Sequence, residues 1–148
     1  MSKFRELPFE ATPAVRDTCL CLHAQRAARA LARRFDEALR PLDLTNGQFS
    51  LLMALNRPLP PNLGSVANLL AMDRTTLTAA LKVLQRRKLV KVSVDKEDHR
   101  GRLLAITSAG RSLLNRAFPI WQKTHAQIEC RIARISPDSL RAALQALS

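Results

Sequence analysis

Arg74, Thr75, Thr76 and Thr78 open a stretch that runs on through Lys82, Gln85, Arg86 and Arg87. Their guanidinium, hydroxyl, amide and ammonium groups are those that bond base edges and phosphate oxygens of a duplex. At helical spacing Thr75, Thr78, Ala79, Lys82, Gln85 and Arg86 share one side, and Leu77, Ala80, Leu81, Leu84 and Lys88 the other. The second side would pack on a core, leaving the first for recognition. A second cluster follows in Asp95 to Arg102, with Lys96, Arg100 and Arg102 as its cations. An arginine at a hairpin tip can enter a narrow, electronegative minor groove. Asp98 stands two residues from Arg100 on extended chain, so the two side chains are expected to pair. His99 between them reads as a solvated loop residue.

A helix and a hairpin must hold these groups. Residues 63 to 110 have that order: two short helices, then strands with a charged tip. Asn62 or Ser65 would cap the first helix, Met72-Asp73 would turn the chain, and Asp73 would cap the recognition helix running to Leu89. Val90, Val92 and Val94 alternate with Lys91 and Ser93, Asp95 to Gly101 form the tip, and Arg102 to Ile106 return. Upstream, one long helix is expected between Pro13 and Pro41, with Leu20, Ala24, Ala27, Leu31, Phe35 and Ala38 as its stripe and Arg26, Arg29, Arg33 and Arg34 punctuating it. Thr45 and Gln48 form a capping box for the next helix, and Arg57-Pro58-Leu59-Pro60-Pro61 reads as a breaker. Thr107 would cap a helix striped by Leu113, Ala117, Trp121, Ile128 and Ile132 and kinked at Pro119. Ser136-Pro137-Asp138 would start the last. The fold class is mainly α with a small β-hairpin wing, a winged helix-turn-helix between terminal helices.

Composition narrows the partners. Lys and Arg outnumber Asp and Glu 24 to 12 in 148 residues, a net charge of +12 that favours polyanions. Aromatics make up 4% with no tyrosine, which disfavours the stacking platforms of single-strand binders. Double-stranded DNA is the expected partner. No apolar run approaches the roughly 20 residues of a membrane span, and the stretch MSKFRELPFEATP lacks the apolar segment expected of a secretory signal. Three cysteines without framework spacing suit a reducing cytoplasm.

The chain resembles the MarR family of transcriptional regulators over nearly all of its length. Asp98-x-Arg100 followed by Ile106-Thr107-x-x-Gly110 stands against the family's D-x-R and L-T-x-x-G, with isoleucine for the usual leucine. Leu44-Thr45-x-x-Gln48-Phe49 and Asp73-Arg74-Thr75-Thr76 also match. The resemblance implies a triangular homodimer on a palindromic operator, with repression relieved by a small ligand or by oxidation. Residues 1–12 would be a flexible tail, 13–44 and 108–148 a helical dimerisation region, and 45–107 the DNA-binding region, one structural domain overall. The winged region is not expected to need the terminal helices for its own core, so a second copy would cover their stripes.

Cys19-Leu20-Cys21-Leu22-His23 tempts a metal reading, but on an intact helix Cys19 and Cys21 point about 200° apart. No metal and no cofactor is expected. Cys21 lies 24 residues before Thr45, resembling the placement of the reactive cysteine in the family's organic-hydroperoxide sensors. Those hold it with tyrosine hydroxyls, which this chain lacks. Cys21 is thus a candidate redox sensor and Cys130 a resolving partner, against the plainer reading of both as small packed hydrophobes. His23, Phe35, Phe49, Met53 and Trp121 are candidate lining residues for a small-molecule effector. The chain has 4 glycines and no Gly-rich phosphate loop, HExxH or GxSxG, so no enzyme is expected. The competing readings are a nonspecific architectural nucleic-acid binder and a thiol-based peroxide-reactive protein.

Overall fold

The computed structural model describes residues 6–132 and 134–148; part of the expected 1–12 tail lies outside them. The chain divides into two compact units, Met1–Arg34 and Phe35–Ser148. The first holds α1 (Ala11–Thr18) and most of α2 (Leu20–Leu39). The single helix expected from Pro13 to Pro41 is broken at Cys19, whose ψ of 110° is extended. The premise that Cys19 and Cys21 share an unbroken helix therefore fails. Among the described residues no group of three or more His, Cys, Asp or Glu is placed to hold a metal ion. No residue of α1 is buried, and along α2 only Leu39 is.

In the second unit a 3-10 turn (Arg40–Leu42) leads to α3 (Asn46–Ala54). The expected capping box is present: Thr45 Oγ1 accepts from the Gln48 amide at 3.2 Å, and the Thr45 amide donates to Gln48 Oε1 at 3.0 Å. Asp36 accepts from both the amide and the side chain of Asn46, at 2.7 and 2.9 Å. This pins the last turns of α2 to the start of α3. α4 (Leu63–Leu70) is capped by Asn62, and Ala71 in the left-handed region (φ 52°) turns the chain into α5 (Arg74–Arg86).

α5 ends three residues earlier than expected. Lys88, read above as a core-facing helical position, is exposed at φ 59°. The Lys88 and Leu89 amides donate back to Gln85 and Leu84 carbonyls at 2.9 and 3.0 Å, closing the helix with a left-handed residue. β1 (Val90–Val94) and β2 (Arg102–Ile106) then pair antiparallel from Val90–Ile106 to Val94–Arg102, at the expected bounds. The segment read as a breaker does more than turn: the Leu104 amide donates to the Pro61 carbonyl at 2.9 Å, and Asn62 bridges Leu103. Proline can serve such a pairing because only its carbonyl is used.

α6 (Ser108–Glu129) continues through Pro119, leaving Ile132 beyond its end, and α7 (Pro137–Gln145) is capped by Ser136. One core joins the second unit: Leu39, Leu52, Leu55, Val66, Leu77, Leu84, Leu104 and Ala117 are essentially inaccessible. Leu113 and Leu114 of α6 lie in the same cluster. The expectation that the winged region packs without the flanking helices is thus corrected. A sheet of two strands and three short helices cannot enclose these leucines alone, so the end of α2 and the first half of α6 complete the core.

Candidate nucleic-acid interface

The start of α5 is built by Asp73. Its Oδ1 accepts the Thr76 amide at 2.8 Å, and its Oδ2 accepts the Thr76 hydroxyl at 2.7 Å. These bonds, the amide first, hold the Asp73 carboxyl below the ordinary carboxylate range. A depressed native value means that the cap's contribution is present above the ordinary range and is lost as pH falls through the native value. Unfolding followed in urea from pH 6 downward should therefore show helix stability eroding below about pH 4. Asp73→Asn, which keeps an acceptor but cannot titrate there, should flatten that part of the profile; an unchanged profile would remove Asp73 as its source.

Leu77, Leu81 and Leu84 anchor α5 on the core, and Ala80 is half-buried against it. That orientation leaves Arg74, Thr75, Thr76, Thr78, Ala79, Lys82, Gln85 and Arg86 exposed. The Thr76 hydroxyl proton is committed to the cap, and that of Thr78 goes to the Arg74 carbonyl at 2.7 Å. Both oxygens keep acceptor capacity and both methyls remain available to thymine. Lys82, Gln85 and Arg86 border one shallow depression. Arg87 is not brought to that group. Half-buried, it donates to Gln48 Oε1 at 3.3 Å and stands 4.0 Å from Asp43, tying the end of α5 to the capping box of α3.

The wing tip is organised by carboxylates bonding to main chain. Asp98 Oδ1 accepts the Arg100 amide at 3.1 Å and Asp95 Oδ1 accepts the Glu97 amide at 3.0 Å. The expected Asp98–Arg100 side-chain pair is not what forms: Asp98 shapes the turn, and no ion pair links the two among the described residues. Arg102 reaches the carbonyls of His99 and Gly101 at 3.4 and 3.2 Å. Lys96 and Arg100 are exposed.

Helix and wing meet in a cleft of about 280 Å³ lined by Arg74, Asp95, Asp98, Arg100, Gly101 and Arg102, with Asn62, Leu63 and Gly64 on its α4 side. Three arginines therefore share one concavity. Gly64 was not singled out from the sequence, yet a methyl there would lie 3.2 Å from the Arg74 guanidinium. Only the Asn62 cap hinted that this edge mattered.

The other candidates separate. Phe49, Met53 and Trp121 line a groove of about 380 Å³ with Ser50, Leu69, Leu70 and Phe118. Trp121 stacks on Phe49, Phe118 and His125 with centroids 6.2, 5.9 and 4.8 Å apart. Phe35 is half-buried but does not line that groove, and His23, exposed on α2, bonds the Cys19 carbonyl through Nδ1 at 2.8 Å. Cys21 is exposed, its Sγ accepting from Gln25 at 3.1 Å, and Cys130 is exposed at the end of α6. No helix among the described residues is long and apolar enough to cross a membrane.

No family model matches the chain. The chain is similar to the Mycobacterium tuberculosis transcriptional regulator MosR, solved in complex with DNA, at 33% identity over 87% of this chain and 92% of that one, with a TM-score of 0.80. A mutant of MarR from E. coli complexed with operator DNA shares the fold at a TM-score of 0.78 and 22% identity, over 97% of this chain and 99% of that one. Among curated proteins, the transcriptional regulator SarZ of Staphylococcus haemolyticus is 28% identical over 62% of each chain. The chain spans 51% to 62% of the length of the curated relatives it matches. These relatives are transcriptional regulators rather than enzymes.

Proposed function

Because the chain belongs to the MarR family of DNA-binding transcriptional regulators, we propose that it represses transcription as a homodimer on a palindromic operator and is released by a small ligand or by oxidation. The observation that carries the DNA reading is the exposed polar face of α5 beside a charged hairpin, with Arg74, Arg100 and Arg102 on one cleft. Arg74, Thr75, Thr76, Thr78 and Gln85 would face base edges, Lys82, Arg86, Lys96 and Arg102 phosphates, and Arg100 the minor groove. Arg87 would act mainly by fixing α5. Dimerisation falls to the terminal helices, where Val15, Leu20, Leu31 and Leu144 are exposed, with Phe9 and Leu147 exposed just beyond their ends. A second copy would also set two recognition helices one helical turn of DNA apart. The aromatic groove at Trp121 is the effector site of this reading, and Cys21 with Cys130 its oxidation-sensitive alternative.

Fluorescence anisotropy on the DNA upstream of its own gene, against a random duplex, tests this. Operator binding should exceed random binding by about 10³-fold or more; little discrimination would favour a nonspecific architectural protein. Organic hydroperoxide that abolishes binding, with recovery on adding thiol, would select the oxidation route. Indifference to it would leave the groove. Arg74→Ala should relax discrimination between operator variants, whereas Lys82→Ala should weaken all duplexes alike. Equal effects of the two on every duplex would remove Arg74 from base reading.

A further inference from the structure

α2 carries Arg26, Arg29 and Arg33 at intervals of three and four residues. At about 100° per residue they fall on one stripe roughly 60° wide, running about 10 Å along the axis. All three are exposed. Arg29 donates to the Gln25 amide oxygen at 3.3 Å, and among the described residues none of the three stands within ion-pair distance of a carboxylate. Like charges three and four residues apart disfavour a helix, so the stripe calls for an anion.

A second copy of the chain could bring Glu6, Glu10 and Glu37, which are exposed and in no ion pair among the described residues, whereas four further acids are engaged. Asp17 is paired with Arg16 at 2.6 Å, and Glu129 and Asp138 with Arg141 at 2.8 and 2.6 Å. Asp36 is held by Asn46, and cations outnumber acids 24 to 12 in every copy. None of the three arginines is among the residues assigned above to DNA. We propose that Arg26, Arg29 and Arg33 bind a small ligand bearing two or more phosphate groups, a class matched by successive guanidinium forks. Such a ligand would be an effector, a consequence that rests on the regulator reading, although its binding does not.

Calorimetric titration of inorganic tripolyphosphate into the full chain at fixed ionic strength tests the site. The Arg26→Gln/Arg29→Gln/Arg33→Gln variant should bind at least about tenfold more weakly than wild type. A variant with equal charge removed elsewhere, Arg116→Gln/Lys123→Gln/Arg131→Gln, should stay within about threefold. Glutamine keeps helix propensity, and circular dichroism checks that α2 persists. Equal losses in the two variants, or none in the first, would overturn the proposal. Operator titrations on the same proteins separate the phosphate of DNA from a free one. The slope of log affinity against log salt should be unchanged by the stripe substitutions. A slope shallower by about 0.9 per arginine would assign the stripe to DNA backbone and overturn the proposal. Wild type that shows no operator preference but binds tripolyphosphate at the stripe would sink the regulator reading and keep the site.

Discussion

Gly110→Ala is expected to destabilise the second unit by about 3 kcal/mol, read as a lower urea midpoint at unchanged slope. Helix propensity alone predicts the reverse, since alanine replacing glycine within a helix gains about 1 kcal/mol. Packing reverses the sign. A methyl at Gly110 would collide with the Leu89 carbonyl oxygen and stand 2.7 Å from Ile106 Cγ1. That carbonyl cannot retreat, because the Thr107 amide donates to it at 3.0 Å while the Thr107 hydroxyl holds the neighbouring Lys88 carbonyl at 2.8 Å. Thr107 Oγ1 also accepts the Gly110 amide at 3.1 Å. The first turn of α6, the end of α5 and the base of the wing thus meet at one point with no space for a side chain. An alanine variant as stable as wild type would show that this junction yields, and would leave the Thr107-x-x-Gly110 pattern without a steric cause.

Arg100→Ala should weaken operator binding roughly 10- to 100-fold, the range of one specific arginine contact, while the midpoint of unfolding stays in place. The stability part follows from the geometry. Arg100 contributes its amide to the Asp98 turn, and alanine keeps that amide. The affinity part follows from an exposed guanidinium at the hairpin tip, where a narrow minor groove concentrates negative potential. Arg100→Lys should recover only part of the loss, because an ammonium supplies the charge without the planar fork. Unchanged affinity of the alanine variant at physiological salt would take the wing out of the mechanism. A uniform loss on operator and random duplex would reduce Arg100 to a phosphate contact.

Asp98→Ala separates the two functions of the tip. The sequence pairs Asp98 with the Arg100 side chain, whereas the structure has it bonding the Arg100 main chain. Both predict weaker binding, but only the main-chain role predicts a tip loosened as a whole. Faster amide hydrogen exchange at Glu97 to Gly101 would report it.

The sequence by itself determined the elements whose causes are local. Thr45, Asp73, Thr107 and Ser136 cap helices at the positions their side chains foretell, because a cap bond spans only three residues. The wing followed from strict alternation over Val90 to Val94, since a slip of one residue would turn Val90 and Val92 outward. The exposed face of α5 followed from the spacing of Leu77, Leu81 and Leu84. Tertiary structure decided what depends on elements meeting. Arg87 was indistinguishable from its neighbours until Gln48, 39 residues earlier in the chain, came within reach of it. The break at Cys19 has no glycine or proline to announce it. Pro61 reads as a stop in sequence and becomes a partner of Leu104 only once the wing lies beside it. Arg74 and Arg100 are 26 residues apart, and only the fold of the chain around one leucine core places them on a common cleft. Local hydrogen bonds and periodic burial are written into short windows of sequence; which distant side chains share a surface is set by packing of the whole unit.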